Sequence, residues 1–340
     1  MAGLRVPVNV EMATGYGSPM LAAYASAPNP DDPLAALEVG DRPDPDVPEG
    51  WVAVDVKAAS LNMHDVFTLR GVGLKEDAYP MILGCDGAGV LGDGTEVVLH
   101  GVVPSPEWMG DETLDPRRTL LSEKHPGTFA EKVAVPRRNA LPKPERLSFV
   151  QAGCLGTAWL TAYRMLFVKS GVRPGQTMLV QGASGGVSTA LTALGSAAGI
   201  RVWVTGSSEA KRAIADEQGA DATFETGARL PERVDATFET VGGATWSHSL
   251  KSLKPGGTVV VSGATSGDAG SAELQRLFFL QLRVVGSTMG TRGELEDLLA
   301  YMERERISPR IGAEIPLESA REGVQAMLDG DTAGKIVFIR

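Results

Sequence analysis

The stretch TMLVQGASGGVSTALTALGSAAGIRVWV (177–204) constrains the fold more than any other part of this chain. TMLVQ is an apolar run of strand length, and the turn after it carries three glycines in five positions (182–186). Beyond the turn, Val187, Ala190, Leu191, Leu194 and Ala198 recur at helical spacing until Gly199 ends the pattern. RVWV (201–204) is a second strand. The rhythm continues with a helix over SSEAKRAIADEQG, strands at DATF (221–224), VDATF (234–238) and TVVVSG (258–263), and a helix over RGELEDLLAYMERER. Strands alternating with helices at this spacing predict an α/β fold with a doubly wound parallel sheet covered on both faces.

Residues 20–150 have a different character. MLAAYAS (20–26) opens the regular pattern, WVAVDVKAAS (51–60) alternates like a half-buried strand, and PNPDDP and DRPDPDVPEG are turn clusters. This half is predicted to be β-rich. Residues 102–127 show no period and predict a long surface excursion. After PKPERLSF (142–149), SFVQAGCLGTAWLTAYRMLFV is apolar at helical spacing with Ser148 as N-cap. The tail ends in an alternating strand. At 340 residues, about two domains are expected. A net charge of −10 argues against nucleic-acid or membrane-surface partners. Two cysteines are too few for a disulfide framework, and no apolar run suits a signal peptide or a membrane span, so the cytoplasm is the expected compartment. Residues 1–19 read as an extension.

A glycine-rich turn between a strand and a helix is the setting of a dinucleotide fingerprint. Gly185 and Gly186 would let backbone approach a pyrophosphate at the positive end of the helix dipole. Ala183 and Ser188 replace two glycines of the usual pattern. At the end of the second strand an NAD site usually carries a carboxylate. Here Thr205, Gly206, Ser207 and Ser208 are followed by Lys211 and Arg212. Hydroxyls and a cation suit a 2′-phosphate, so NADPH is the expected cofactor, unless Lys211 and Arg212 only form a solvated helix face.

With these pieces in order, the chain resembles the medium-chain dehydrogenase/reductase superfamily, and within it the zinc-independent quinone oxidoreductase-like branch. The resemblance runs from about Met20 to Arg340. It rests on SLNMHDVF (60–67), ILGCDGAGV (82–90), GTFAEKVAVP (127–136), GTAWLTAY (156–163), GASGGVS (182–188), GATSG (263–267), LFFLQL (277–282), GSTMGTR (286–292) and GKIVF (334–338). It implies a GroES-like β-barrel catalytic domain (20–150) interrupted by a Rossmann NADP-binding domain (151–307), with a C-terminal return (308–340). It also implies a homodimer paired through an edge strand of the Rossmann sheet.

The resemblance sets the metal question. The cysteine ligand of the zinc alcohol dehydrogenases falls on Asn62, their G-H-E turn on Gly84-Cys85-Asp86, and their remaining cysteine ligand on Thr157. Catalytic zinc takes three ligands from Cys, His and carboxylate, and Asn62 and Thr157 are poor ones. No metal is expected. The four-cysteine lobe is impossible with two cysteines, and residues 102–127 occupy its place. Cys85 and Cys154 are then small buried residues rather than ligands or redox groups, and Asp86 orients backbone.

Without a Lewis acid, the alkoxide of a reduced ketone is hard to stabilise. Conjugate reduction spreads the charge into an enolate or hydroquinone anion that hydrogen-bond donors can hold. The expected activity is an NADPH-dependent, metal-free transfer of hydride to a quinone or to the C=C bond of an α,β-unsaturated carbonyl. The alternatives are a zinc-free alcohol or ketone dehydrogenase and a low-turnover NADPH-binding structural or regulatory protein. Asn62, His64 and Asp65 are the candidate catalytic residues. Asn62 would donate to substrate or ribose, or else be a satisfied structural amide. His64 would supply or orient a proton, since Phe67 replaces the tyrosine of many relatives, or else face solvent or the barrel interior. Asp65 would act beside it or brace the backbone. The resemblance implies cofactor contacts from Asn62, Thr157, Ser184, Gly185, Gly186, Val187, Ser207, Ser208, Lys211, Val241, Gly263 and Ala264, with Phe278 and Phe279 flanking the nicotinamide.

Overall fold

The computed structural model of the chain describes residues 19–330 and 332–340. The expected extension at 1–19 lies, but for Pro19, outside them. The first half is strand-rich: β1 (Pro19–Ala25), β2 (Leu37–Pro43), β3 (Trp51–Ser60), β4 (Met81–Ile82), β5 (Ala88–Leu91), β6 (Glu96–Leu99), β7 (Val102–Val103), β8 (Thr119–Leu120), β9 (Lys132–Pro136) and β10 (Ala140–Pro142). Its one α-helix of note, α1 (Met63–Leu69), follows β3 directly. β3 alternates as a half-buried strand must, with Val52, Val54 and Val56 buried and Ala53 exposed.

The second half alternates strand and helix: α2 (Phe149–Ala152), α3 (Leu160–Tyr163), β11 (Thr177–Gln181), α4 (Gly186–Ala197), β12 (Arg201–Gly206), α5 (Glu209–Glu217), β13 (Ala222–Glu225) and β14 (Val234–Glu239). Then come α6 (Trp246–Ser252), β15 (Leu253–Val261), α7 (Leu274–Phe279), β16 (Arg283–Gly286), α8 (Arg292–Glu305), β17 (Ile311–Pro316), α9 (Ala320–Asp329) and β18 (Lys335–Ile339).

Six of these strands form one sheet in the order β13-β12-β11-β14-β15-β16, and every pair in it is parallel. β12 and β14 flank β11 on opposite sides, so the chain reverses direction across the sheet at the carboxyl end of β11. The glycine turn sits there. The tail leaves this sheet: β18 pairs antiparallel with β3, Val337 opposite Ser60, and β17 pairs with β18. The sheet it joins runs β10-β6-β5-β3-β18-β17, with β9 also on β3. Among the described residues no pairing joins β10 to β17, so the GroES-like sheet is open at that seam.

Two expectations need correction. The apolar run after Ser148 is not one helix. Ser148 caps α2 as expected, its Oγ accepting from Gln151 N at 3.2 Å, but the helix then breaks. Gly153 packs so close that a Cβ would lie 2.8 Å from the Ala58 carbonyl oxygen. Wide π-type turns follow at Leu155–Trp159 and Arg164–Ser170, a departure common at functional sites. Residues 102–127 are more than a surface excursion. β7 pairs with β8, and Glu112, Thr113, Asp115 and Ser122 are buried. Buried Arg164 clamps the segment, bonding Asp111 on one side and Glu294 of α8 on the other.

Candidate functional site

β3 delivers Asn62 to the junction between the sheets, where α1 begins. The Asn62 amide is fully occupied. Nδ2 donates to the Ser60 carbonyl at 3.0 Å and to Asp86 Oδ2 at 3.1 Å, and Oδ1 accepts from Lys335 Nζ at 2.6 Å. Lys335, the first residue of β18, is 4% exposed and also donates to the Leu61 carbonyl at 2.7 Å. Asp86 is wholly buried and accepts from Ser60 N and Oγ at 3.2 and 2.8 Å. Asn62 thus stands as a polar spacer between a buried ammonium and a buried carboxylate. Burial pushes the Asp86 carboxyl above its ordinary range, while Lys335 and the Ser60 and Asn62 donors pull it back. The expected donation from Asn62 to substrate is corrected by this geometry: both its N–H bonds are spent inside the protein.

Asp65 is likewise committed. Oδ2 accepts from Asn62 N and Oδ1 from Gly84 N, both at 2.9 Å, and the residue is fully buried. Burial raises its pKa to about 6, against the pull of His64 and the two backbone donors. This is a brace between α1 and the 84–86 turn, the second of the two roles the sequence offered for Asp65. Gly84 takes a positive φ of 95°, and a Cβ there would lie 2.4 Å from Thr128 Oγ1, so the turn requires glycine.

His64 points the other way. Its Nε2 lies 3.1 Å from Glu123 Oε1 and its Nδ1 3.4 Å from Ser122 Oγ. Burial disfavours the imidazolium, but Cys85, Glu123 and Asp65 together outweigh it and hold the ring's pKa above its ordinary value. Cys85 is fully buried, with Sγ 3.3 Å from Thr157 Oγ1, and burial raises its thiol pKa. His64, Asp65 and Cys85 each offer a ligand atom within 4.8 Å of the others. Asp65 could join a metal only by stripping two buried N–H groups of their acceptor.

Thr157 is the one half-exposed residue in the run 152–160. Its neighbours join the two halves: a Cβ on Gly156 would lie 3.1 Å from Asp86 Cβ, and one on Gly186 would lie 3.2 Å from Ala158 Cβ and 2.9 Å from Lys335 Cδ. The glycine turn, Lys335 and the Asn62–Cys85–Thr157 group therefore meet at one junction. Gly185 precedes α4 with no side-chain cap, so the first-turn N–H groups lack a side-chain partner, as an anion cradle requires. Ser184, Gly186 and Val187 are partly exposed around it. A Cβ on Gly182 would lie 3.6 Å from Val241 Cγ2, which places Val241 over the same turn.

At the carboxyl end of β12, Ser207 is exposed and Ser208 caps α5, its Oγ accepting from Lys211 N at 3.3 Å. Arg212, which the sequence left open, lies across the strand end with Nη1 donating to the Gly206 carbonyl at 3.0 Å. No carboxylate occupies this turn. Gly263 and Ala264 follow β15, where a Cβ on Gly263 would lie 3.0 Å from the Thr240 carbonyl oxygen. Phe278 and Phe279 do not flank a ring site: they are 71% and 80% exposed on α7. The sequence reading missed Lys335, Ser122 and Glu123. Only the GKIVF motif marked Lys335, and nothing in the aperiodic 102–127 segment marked the other two.

Residues 48–145 match the family model for the alcohol dehydrogenase GroES-like domain, and 186–304 that for zinc-binding dehydrogenase. A solved structure of an NAD-dependent alcohol dehydrogenase is 32% identical at a TM-score of 0.87, covering 94% of this chain and 100% of its own. The chain belongs to the medium-chain dehydrogenase/reductase superfamily. Among its curated relatives, an acryloyl-coenzyme A reductase of Sulfurisphaera tokodaii is 27% identical, matching 90% of this chain and 97% of that protein. A quinone oxidoreductase of Rattus norvegicus is 27% identical over 85% of this chain and 88% of its own. As a member of this superfamily the chain is an oxidoreductase. Among the described residues no helix is long and apolar enough to cross a membrane.

Proposed function

We propose that this oxidoreductase transfers hydride from NADPH to a quinone or to the C=C bond of an α,β-unsaturated carbonyl, and does so without a metal. The observation that carries the reading is the Lys335 ammonium buried 2.6 Å from Asn62 Oδ1. Of the three places where the resemblance sets zinc ligands, one is this saturated amide, one a threonine, and only Cys85 is a good donor. A buried cation beside them further disfavours Zn²⁺. The residues do not fit the metal.

They do fit a phosphorylated dinucleotide. The uncapped first turn of α4 and the Lys335 stem against Gly186 suit the pyrophosphate. Ser207, Ser208, Lys211 and Arg212, with no carboxylate among them, suit a 2′-phosphate. When bound, the nicotinamide supplies the hydride. The Thr157 hydroxyl then faces the charge that develops on the acceptor, and a delocalised anion needs no stronger partner than such donors. Quinone oxidoreductase and acryloyl-coenzyme A reductase relatives support the same acceptor classes.

The working unit in this reading is a cytoplasmic homodimer. Among the described residues β16 is the outermost strand of the sheet, Val284 on it is 48% exposed, and Leu274, Phe278 and Phe279 of neighbouring α7 are exposed too. A second copy would cover that edge. The domain division in this reading is at about 150 and 308, either side of the parallel sheet, whose strands lie between Thr177 and Gly286. NADPH deuterated at C4, incubated with a panel of enones and quinones, tests the function: deuterium at the β-carbon of an enone product is expected. Failure of every panel member to oxidise the cofactor would overturn it.

A further inference from the structure

A buried polar chain runs beneath the glycine turn, across the carboxyl ends of the central strands. Glu239 ends β14 and is wholly buried, with no ion pair among the described residues. Its carboxylate meets donors only. Oε1 accepts from Val241 N at 2.8 Å and Gly242 N at 3.0 Å, and Oε2 from Ser249 Oγ at 2.7 Å. Thr245 Oγ1 donates to the same group, 2.8 and 2.9 Å from its two oxygens. Ser249 Oγ in turn accepts from Gln181 Nε2 at 3.0 Å, and Gln181 Oε1 accepts from Thr205 Oγ1 at 2.6 Å. Gln181 ends β11 and Thr205 is the last residue but one of β12; both are fully buried.

His248 fixes the direction of this chain. Its Nε2 lies 2.8 Å from the Ala228 carbonyl oxygen, which can only accept, so Nε2 carries the proton. Nδ1 therefore accepts from Gln181 Nε2 at 2.9 Å. Turning the Gln181 amide over would set its oxygen against Nδ1 and require an imidazolium. Every proton from Thr205 onward points toward Glu239, which accepts and never donates.

We infer that Glu239 and Gln181 are positioning residues for the dinucleotide: the chain that ends on Glu239 holds the turns after β11, β12, β14 and β15 in fixed relation. The inference rests on the dinucleotide reading above. Thr205 Oγ1 lies 3.5 Å from Gly182 N, where the glycine turn begins. Val241, pinned by Glu239, lies over that turn, and its carbonyl accepts from Ser266 N and Oγ, both at 2.7 Å. The Thr240 carbonyl accepts from Thr265 N and Oγ1, both at 3.3 Å, which ties 240–242 to the turn that starts at Gly263. Being buried, Glu239 and Gln181 act through these turns and not on the cofactor itself.

Glutamine at 239 keeps the shape and reverses one end of the chain. Its oxygen can replace Oε1 under the two backbone N–H groups, which sets its amide nitrogen against Ser249. Ser249 Oγ then receives two donors while its own proton has no acceptor. Deleting that hydroxyl removes the conflict, since Thr245 Oγ1 can turn its proton to the Gly242 carbonyl at 3.4 Å. Loss of a contact from simple packing has no such reversal.

NADPH affinity is measured by fluorescence titration, without turnover, in the wild type, Glu239→Gln, Ser249→Ala and the double variant. Glu239→Gln is expected to weaken binding by on the order of tenfold and Ser249→Ala by roughly threefold. The double variant is expected to bind more tightly than Glu239→Gln alone, so Ser249→Ala harms one background and rescues the other. Losses that simply accumulate, or wild-type affinity in Glu239→Gln, overturn the inference. Wild-type affinity in Ser249→Ala overturns it even where Glu239→Gln does not fold. Ring-nitrogen NMR of His248 in the cofactor-free wild type is expected to show the Nε2–H tautomer; an Nδ1–H tautomer overturns the chain's direction. A wild type that binds no NADPH brings down the dinucleotide reading with it, whereas tight wild-type binding without the rescue brings down this inference alone.

Discussion

Replacing Lys335 by methionine removes one charge from the closed Lys335–Asn62–Asp86 network while keeping a stem of similar length against Gly186. Methionine leaves little cavity, so the effect is electrostatic. Two acceptors, Asn62 Oδ1 and the Leu61 carbonyl, lose their donor, and Asp86 stays buried without its cation. Removing one partner of a buried pair costs ~3–5 kcal/mol. The pH dependence follows from Asp86. Its folded pKa is already above the unfolded value of 3.8, and losing Lys335 raises it further. A carboxyl raised in this way penalises folding where it must ionise, and the penalty is relieved as pH falls through the raised value. The gap between wild type and Lys335→Met is therefore largest at neutral pH and narrows toward acid, by at most ~1.4 kcal/mol per pH unit. Urea denaturation of the cofactor-free proteins, followed by tryptophan fluorescence at several pH values, measures it. A gap below ~1 kcal/mol at neutral pH, or one that widens toward acid, would refute the charge-spacer account of Asn62.

Further outcomes are expected elsewhere. Ser207→Asp should shift the ratio of kcat/KM values for NADPH over NADH by about tenfold or more toward NADH, equivalent to ~1.4 kcal/mol of repulsion; an unchanged ratio would mean the 2′-phosphate lies elsewhere. Gly186→Ala pushes a Cβ to within 2.9 Å of Lys335 Cδ, a side chain held at both ends. It should cost ~1–3 kcal/mol of stability and weaken dinucleotide binding, both visible by calorimetry. Arg164→Met should release the 102–127 segment and destabilise the fold by ~3–5 kcal/mol, with amide exchange rising first over 105–118. Val284→Glu should give a monomer by analytical ultracentrifugation; a dimer that persists would move the interface away from β16.

Much of the fold was legible because local and tertiary demands agree. Val52, Val54 and Val56 alternate because one face of β3 meets the core, and the turn at 182–186 is glycine-rich because a helix must start there with its N–H groups open. The helix expected after Ser148 failed for a tertiary reason: Gly153 and Gly156 press against the Ala58 and Leu99 carbonyls, and that close approach widens the helical turns. Phe278 and Phe279 were misplaced because apolar residues suggest burial in a pocket, whereas exposure beside an edge strand is equally apolar in sequence. The site was half legible. The local motif SLNMHD marked where Asn62, His64 and Asp65 stand but not which way each side chain is committed. Lys335 is 273 residues from the amide it bonds, and Glu123 lies in a segment with no period at all. Such pairings arise from topology, through β18 returning to β3 and the Arg164 clamp, and leave no local trace.

The most direct measurement is a steady-state comparison of a matched enone and ketone as oxidants of NADPH, on protein whose metal content is determined in the same sample with and without a chelator. Metal-free conjugate reduction predicts turnover of the enone well above that of the ketone, substoichiometric metal and no change on chelation. A preferred ketone, or activity that rises and falls with stoichiometric zinc, would contradict it.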